Sequence, residues 1–133
     1  MCNDRPVALA EIVTFARPVT EPALLVDAVH RAITTALRVP DNDPTVWHRS
    51  VAPGDAKVAA RLGQDAVLVR VTLFEGRSQQ TLSGLHSEIA YNLGEAGIER
   101  SAVLVVAAEL PRSSWSIGGT TQDTVDVGFD VEI

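Results

Sequence analysis

The chain has 133 residues, which suits one domain, and its hydrophobic content of 46% is enough for a folded core. The formal net charge of −6 argues against a nucleic-acid binder, which needs a basic face, although a few local arginines can still hold a small anion. The single cysteine, Cys2, cannot form an internal disulfide and favours a reducing, cytoplasmic setting. No apolar run reaches membrane-spanning length, so we expect no membrane partner.

The first half of the chain predicts a strand, a helix and a second strand. Residues 7–15 (VALAEIVTF) are mostly apolar or β-branched and predict the first strand. Thr20 is the predicted N-cap of a helix that ends before Pro40. The residues that recur at helical spacing are Leu24, Leu25, Ala28, Val29, Ala32, Ile33, Ala36 and Leu37. Residues 45–51 (TVWHRSV) predict the second strand, and the segment APGDAKVAARLGQ after it is ambiguous.

The second half repeats the order. Residues 66–74 (AVLVRVTLF) form the strongest strand pattern in the chain, and Ser78 is the predicted N-cap of a second helix that ends near Gly97. Residues 102–110 (AVLVVAAEL) predict another buried strand. The tail, residues 124–133, alternates apolar and polar residues and predicts an edge or partner-pairing strand.

This order is typical of two fused β-α-β units. We expect an α+β fold in which both helices cover one face of a four-stranded mixed sheet. The expected organisation is a single domain with an N-terminal extension over residues 1–5, a first unit over 6–60 and a second unit with the C-terminal strand over 65–133. The other face of the sheet would remain apolar, so the pattern predicts oligomerisation.

The sequence lacks the motifs of several common binding sites. The chain has neither a dinucleotide-binding glycine fingerprint nor a P-loop, and Gly118-Gly119 is predicted to form a turn. The cysteine and the three histidines do not have zinc-ligand spacing, so no metal and no cofactor are predicted. His30 and His86 lie at the borders of helix faces, where packing is the favoured interpretation, whereas the role of His48 is left open.

Four features together resemble the tautomerase superfamily. They are the duplicated β-α-β order, FEGRS at 74–78, VPDND at 39–43 and SSWSIGG at 113–119. Within that superfamily the chain is most similar to long-chain members of the malonate semialdehyde decarboxylase type, from Pro6 to about residue 119.

The resemblance implies a homotrimer with sheets inside and helices outside, and a site for a small carboxylate-bearing oxo-acid. Pro6 occupies the position of the family's catalytic proline, and Asp43 that of an acid that assists it. Arg77 matches an arginine that binds the substrate carboxylate, and Trp115 an aromatic residue that lines the pocket. Glu75 departs from the pattern, because the decarboxylases have a second arginine there.

The second departure concerns Pro6 itself. In the family this proline is N-terminal, whereas here it follows Arg5, so its nitrogen is a tertiary amide with no proton to exchange. Three hypotheses remain: an oxo-acid enzyme that works once residues 1–5 are removed, an enzyme that uses Asp43, His48 or Glu75 instead, and a non-catalytic trimer with a binding or structural role. Each residue also has a structural interpretation: Pro6 as the start of a strand, Arg77 as part of an ion pair, and Trp115 as a core or interface anchor.

Overall fold

The computed structural model describes residues 8–15, 21–126, 128 and 133. The element order is β1 (Ala8–Thr14), α1 (Pro22–Leu37), β2 (Thr45–Ser50), β3 (Val67–Phe74), α2 (Gln79–Glu95), β4 (Val103–Leu110), β5 (Ser116–Ile117) and β6 (Thr120–Thr121). The first four strands form one sheet in the order β2-β1-β3-β4. β1 is parallel to β2 and antiparallel to β3, and β3 is parallel to β4, so the predicted mixed sheet is confirmed.

Helix α1 begins at Pro22, where a proline has no intrahelical hydrogen bond to lose. Glu21 occupies the N-cap position and makes no side-chain capping bond, while the predicted cap, Thr20, lies outside the described residues. The prediction that Leu24 belongs to the buried stripe is wrong, since 53% of it is exposed. The residues that do face the core are Leu25, Ala28, Val29, Ala32, Ile33 and Leu37.

Helix α2 begins as its sequence predicts. The hydroxyl of Ser78 accepts a hydrogen bond from the main-chain N–H of Thr81 at 3.1 Å, which satisfies one of the free donors of the first turn. The helix ends at Glu95, and Gly97 follows with a φ of 95°, the left-handed conformation that glycine adopts without strain. The two helices pack against each other on one face of the sheet and enclose the core with it.

The opposite face of the sheet is open in the single chain. Along β4 the side chains alternate, and Leu104, Val106 and Leu110 are each more than 40% exposed. In the middle of this face the Glu11 carboxylate accepts hydrogen bonds from the Trp47 indole at 3.0 Å and from Arg49 Nε at 3.2 Å. The face is therefore apolar on one edge strand and carries an ion pair near the other.

The two β-α-β units are related by a shift of 59 positions along the chain. Ala8 starts β1 as Val67 starts β3, and the pair Leu9–Thr45 becomes the pair Leu68–Leu104. The short 3-10 turn after β2, Pro53–Asp55, becomes the turn after β4, Arg112–Ser114, and both close with a main-chain hydrogen bond of 2.8 Å. The internal repeat is thus structural, although few side chains are identical.

The segment after β4 contains a hairpin and a second turn. Gly118 and Gly119 connect β5 to β6 with φ angles of 60° and 88°, so the predicted turn is confirmed. Of the predicted C-terminal strand, residues 127 and 129–132 lie outside the described residues, and Thr124 belongs to a 3-10 turn instead. The main-chain oxygen of Ile133 accepts a hydrogen bond from the Thr81 hydroxyl at 2.9 Å, so the described end of this segment lies at the start of α2.

Candidate functional site

The sheet topology collects three of the four predicted site residues at one end. Asp43 precedes β2, whereas Arg77 follows β3 and Trp115 follows β4. Because β3 and β4 run antiparallel to β1 and β2, the starts of the first pair of strands lie at the same end of the sheet as the ends of the second pair. The fourth residue, Pro6, lies outside the described residues; the first described residue of its strand, Ala8, pairs with Leu73 at this same end.

Asp43 lies in a tight turn between α1 and β2. Its main-chain N–H donates to the carbonyl of Pro40 at 3.0 Å, and only 2% of the residue is exposed. The ring of His30 bonds to the carbonyl of Asp41 at 2.6 Å, which ties α1 to the same turn. The predicted packing role of His30 therefore matches its contact, and the buried carboxylate of Asp43 is held on a fixed backbone.

Arg77 lies between β3 and α2, with only 6% of its surface exposed. The backbone before it is fixed by the N–H of Glu75, which donates to Leu110 O at 2.9 Å, and by the N–H of Gly76, which donates to the Glu109 carboxylate at 3.2 Å. The side chain of Glu75 is exposed, in contrast to that of Arg77. The carboxylate that departs from the family pattern is thus on the solvent side, while the guanidinium is withdrawn from water.

An aromatic wall lies beside these residues. Phe74, the last residue of β3, is fully buried and meets the Trp115 ring edge-on, with centroids 5.2 Å apart and an interplanar angle of 84°. The guanidinium carbon of Arg112 lies 5.4 Å from the Phe74 centroid, a cation–π geometry. Sequence reasoning did not single out Phe74, although it is the first residue of the FEGRS segment, or Arg112, which belongs to none of the quoted segments. Only the folded chain shows that the Phe74 ring contacts both Arg112 and Trp115.

His48 does not belong to this group of residues. Its Nε2 lies 2.9 Å from the hydroxyl of Thr14, the last residue of β1, which is the end of that strand remote from Ala8. Burial lowers the pKa of the His48 imidazole below its usual 6.5. Within one chain His48 therefore lies apart from Arg77, and its ring links β1 to β2.

A separate cavity of about 300 Å³ lies at the opposite end of the sheet. It is mostly apolar, and its lining includes Phe15, Pro53, Ala56 and Val58. Within the described part of the chain no group of three or more histidine, cysteine or acidic side chains could hold a metal ion. In the same residues no helix is long and apolar enough to cross a membrane.

The geometry therefore offers a buried arginine, a buried carboxylate and an apolar wall at one end of the sheet. An arginine fork can bind a carboxylate, a nearby carboxylate can take part in proton transfer, and an apolar wall strengthens both interactions by excluding water. This combination suits a small anionic molecule that undergoes proton transfer.

Comparison with known proteins identifies the family. Residues 48–118 match a family model described as tautomerase enzyme, while no curated protein sequence matches significantly. One similar protein is a malonate semialdehyde decarboxylase, in a crystal structure inhibited by 3-bromopropiolate. Its sequence is 25% identical to this one, the TM-score of the two structures is 0.74, and the match covers 86% of this chain and 92% of that chain. A native fused 4-OT is 16% identical, with a TM-score of 0.77 over 88% and 98% of the two chains. A fused 4-OT described as a wild-type symmetric trimer is 19% identical, with a TM-score of 0.75 over 86% and 94%. The family match covers more than half of the sequence and the fold is shared over most of it, so the chain belongs to the tautomerase superfamily.

Proposed function

We propose that this protein converts a small oxo-acid, by tautomerisation or decarboxylation, at the sheet end that carries Asp43, Arg77 and Trp115. The observation that carries the proposal is a pair of buried residues, Asp43 and Arg77. Asp43 precedes β2 and Arg77 follows β3, so they lie on either side of the first residues of β1. Two strand spacings separate β2 from β3, which is roughly 10 Å, a gap that suits a small molecule. Membership of the tautomerase superfamily and the similarity to a malonate semialdehyde decarboxylase support the same class of reaction.

Each residue has a distinct role in this proposal. Arg77 binds the substrate carboxylate through two parallel N–H bonds, which fixes the carbon skeleton against the wall formed by Phe74 and Trp115. In tautomerisation a base removes one proton from the substrate and an acid returns one to another atom, so nothing is gained or lost overall. In decarboxylation the carbon–carbon bond to the carboxylate breaks, carbon dioxide leaves, and the resulting carbanion takes up one proton. Asp43 assists the group that carries this proton.

The proton carrier in this family position is Pro6, and its chemistry depends on the Arg5–Pro6 bond. As a secondary amine the proline nitrogen could accept and donate a proton, and a cationic, apolar environment favours the neutral form of an amine. As an amide it can neither accept nor donate a proton. We therefore propose that proline-dependent turnover requires cleavage between Arg5 and Pro6, and that the uncleaved chain does not use this route.

A second candidate is a non-catalytic binding protein with the same fold. Two observations favour it: Pro6 follows Arg5, and Glu75 stands where the decarboxylases have an arginine. In this case Arg77 would still bind a carboxylate, but no proton would move. The hypothesis that other residues replace the proline retains Asp43 alone, since His48 lies elsewhere and Glu75 faces solvent.

We further propose that the protein is a homotrimer. The exposed apolar side chains of β4 need a cover that the two helices, both on the other face, do not supply. A structurally similar fused 4-OT is described as a symmetric trimer. A cytoplasmic location is also proposed, and the single cysteine supports it.

The test compares the full chain with a form that begins at Pro6, using enol and oxo-acid substrates. The proline mechanism predicts turnover only in the shortened form, and its loss in the matched variant with Pro6→Ala. Arg77→Met should raise KM for every carboxylate substrate, whereas Arg61→Met, at an exposed site in the loop between β2 and β3, serves as the charge-matched control. If both forms are inert but bind carboxylates through Arg77, the non-catalytic candidate is correct.

A further inference from the structure

The apolar cavity at the end of the sheet opposite Arg77 is accessible from solution. Its volume is about 300 Å³, at the lower end of the range for small-molecule sites, roughly 300–1,000 Å³. Phe15, Ala56 and Val58 in its lining are half-buried and the other lining residues are exposed, so a dissolved molecule can enter. Among the described lining residues no side chain is charged, and Gln64 alone has a polar one. Such a lining favours an uncharged ligand, because an ion would lose its hydration without gaining a partner.

The internal repeat shows what fills the corresponding space in the second unit. Under the shift of 59 positions Phe15 corresponds to Phe74, and Ala56 corresponds to Trp115. In the second unit the Trp115 ring meets the Phe74 ring edge-on, with centroids 5.2 Å apart. In the first unit Phe15 and Ala56 both line the cavity, and the methyl group of Ala56 stands in place of the indole. The cavity therefore lies where the second unit holds an aromatic ring of its own.

The backbones of the two turns agree closely enough to support this comparison. The turns Pro53–Asp55 and Arg112–Ser114 each close with a main-chain hydrogen bond of 2.8 Å between corresponding residues. Ala56 and Trp115, which follow these turns, both have an extended backbone, with φ and ψ of −148° and 154° in one and −113° and 136° in the other. A ring attached at position 56 would thus start from the same kind of backbone as that of Trp115.

The charge beside the aromatic pair is not repeated. In the second unit the guanidinium carbon of Arg112 lies 5.4 Å from the centroid of Phe74. The corresponding residue of the first unit is Pro53, which lines the cavity with an apolar ring. The first unit therefore keeps the space for an aromatic ring and replaces the cation beside it by an apolar surface.

We propose that this cavity binds a small, neutral, planar aromatic molecule, with its ring edge-on to Phe15 and next to Ala56. Burial of the ring removes apolar surface from water, and the edge-on contact between two aromatic rings adds a specific attraction. The amide of Gln64 offers a hydrogen-bond partner for a hydroxyl or a ring N–H of the ligand. The inference does not rest on the proposed function, because the acid site beside Arg77 lies at the other end of the sheet.

The test is an NMR titration of the full chain with indole as the probe. We expect saturable shifts of the main-chain amides of Ala56, Val58 and Gln64. Ala56→Trp should weaken indole binding by about tenfold or more, because its own side chain takes the space and two rings cannot share a close-packed volume. Ala52→Trp, the same substitution at an exposed position outside the lining, is the control and should leave the dissociation constant unchanged.

A second variant tests whether the cavity prefers an aromatic ring. Phe15→Leu keeps an apolar side chain but removes the phenyl ring. It should weaken indole binding by about threefold to tenfold, the effect of one aromatic pair, and change the binding of cyclohexanol less than about twofold. If Ala56→Trp does not fold, as judged by circular dichroism, Phe15→Leu takes its place as the decisive variant.

Each outcome supports or overturns the aromatic site. The inference is overturned by the absence of saturable shifts, by shifts confined to the surroundings of Arg77 and Trp115, or by indole binding that survives Ala56→Trp. An equal loss of indole and cyclohexanol binding in Phe15→Leu overturns it as well. Indole binding that is lost in Ala56→Trp, in a protein inert towards oxo-acids, supports this site and counts only against the proposed catalysis.

Discussion

Replacing Leu104 by lysine should dissociate the proposed trimer and leave the subunit folded. Leu104 lies on the open face of β4, opposite Leu68 in the neighbouring strand, and 44% of it is exposed in the single chain. Full burial of a leucine contributes roughly 1.5–3 kcal/mol, so covering this remaining fraction in an assembly contributes about 1 kcal/mol per subunit. An unpaired ammonium group in the same interface costs several kcal/mol more.

A lysine at position 104 would also lie near an existing positive charge. Arg70 lies on the same face of β3, two residues along the strand from Leu68, so the lysine gains no carboxylate partner there. Summed over three subunits, the penalty exceeds roughly 10 kcal/mol, which would raise the dissociation constant beyond the micromolar range. The folded subunit loses little, because the substituted side chain is already half exposed.

Sedimentation velocity at micromolar concentration measures the assembly, and circular dichroism measures the fold. The control is Tyr91→Lys on α2, whose side chain is 61% exposed on the helix side of the molecule. We expect a folded monomer for Leu104→Lys and an unchanged trimer for Tyr91→Lys. A trimer that survives Leu104→Lys, or that dissociates equally in the control, would refute the assignment of the open sheet face as the interface.

Three further predictions concern single side chains. Phe74→Ala should lower the free energy of unfolding by about 3–5 kcal/mol, measured by urea denaturation, because it empties a fully buried site; a loss below 1 kcal/mol would contradict its central packing role. Gly119→Ala should cost about 1–2 kcal/mol, seen as a lower melting temperature, because its φ of 88° disfavours a side chain. Gly54→Ala is the control and should be nearly neutral, because Gly54 has the same open space around it but no positive φ. Burial lowers the pKa of His48, so the unfolded chain binds its proton more readily. Stability should therefore be full above about pH 6.5 and decrease as the pH falls through that value toward the lower pKa of the folded state. His48→Gln should flatten this part of the profile in urea titrations, and an unaltered slope would assign the effect to another group.

The strands and helices follow closely from the local sequence pattern. The apolar, β-branched run in residues 66–74 and the serine cap at Ser78 depend on neighbours within a few positions, and both the strand and the cap are confirmed. The prediction was wrong where tertiary contacts decide which side of a helix is buried. Leu24 fits the helical period, but the helix is rotated so that this residue faces solvent.

The candidate site was only partly accessible from sequence. Asp43, Arg77 and Trp115 occur in short segments that resemble a known family, and the sheet places them at one end. Phe74 lies in such a segment but was not singled out, and Arg112 carries no such signal; the importance of both comes from the ring contacts that Phe74 makes with Arg112 and Trp115. Pro6 remains a prediction, since it lies outside the described residues.

The sequence by itself determined the order of elements, the Ser78 cap of α2 and the types of residue available for acid-binding chemistry, because these depend on periodicity and on the chemistry of individual side chains. Only the tertiary structure decided which residues share a site. Strand pairing joins positions far apart in the chain, such as Ala8 with Leu73 and Leu9 with Thr45, and hydrogen bonds over such distances leave no local pattern. That pairing put Asp43 and Arg77 at one end of the sheet and His48 in contact with Thr14 toward the other.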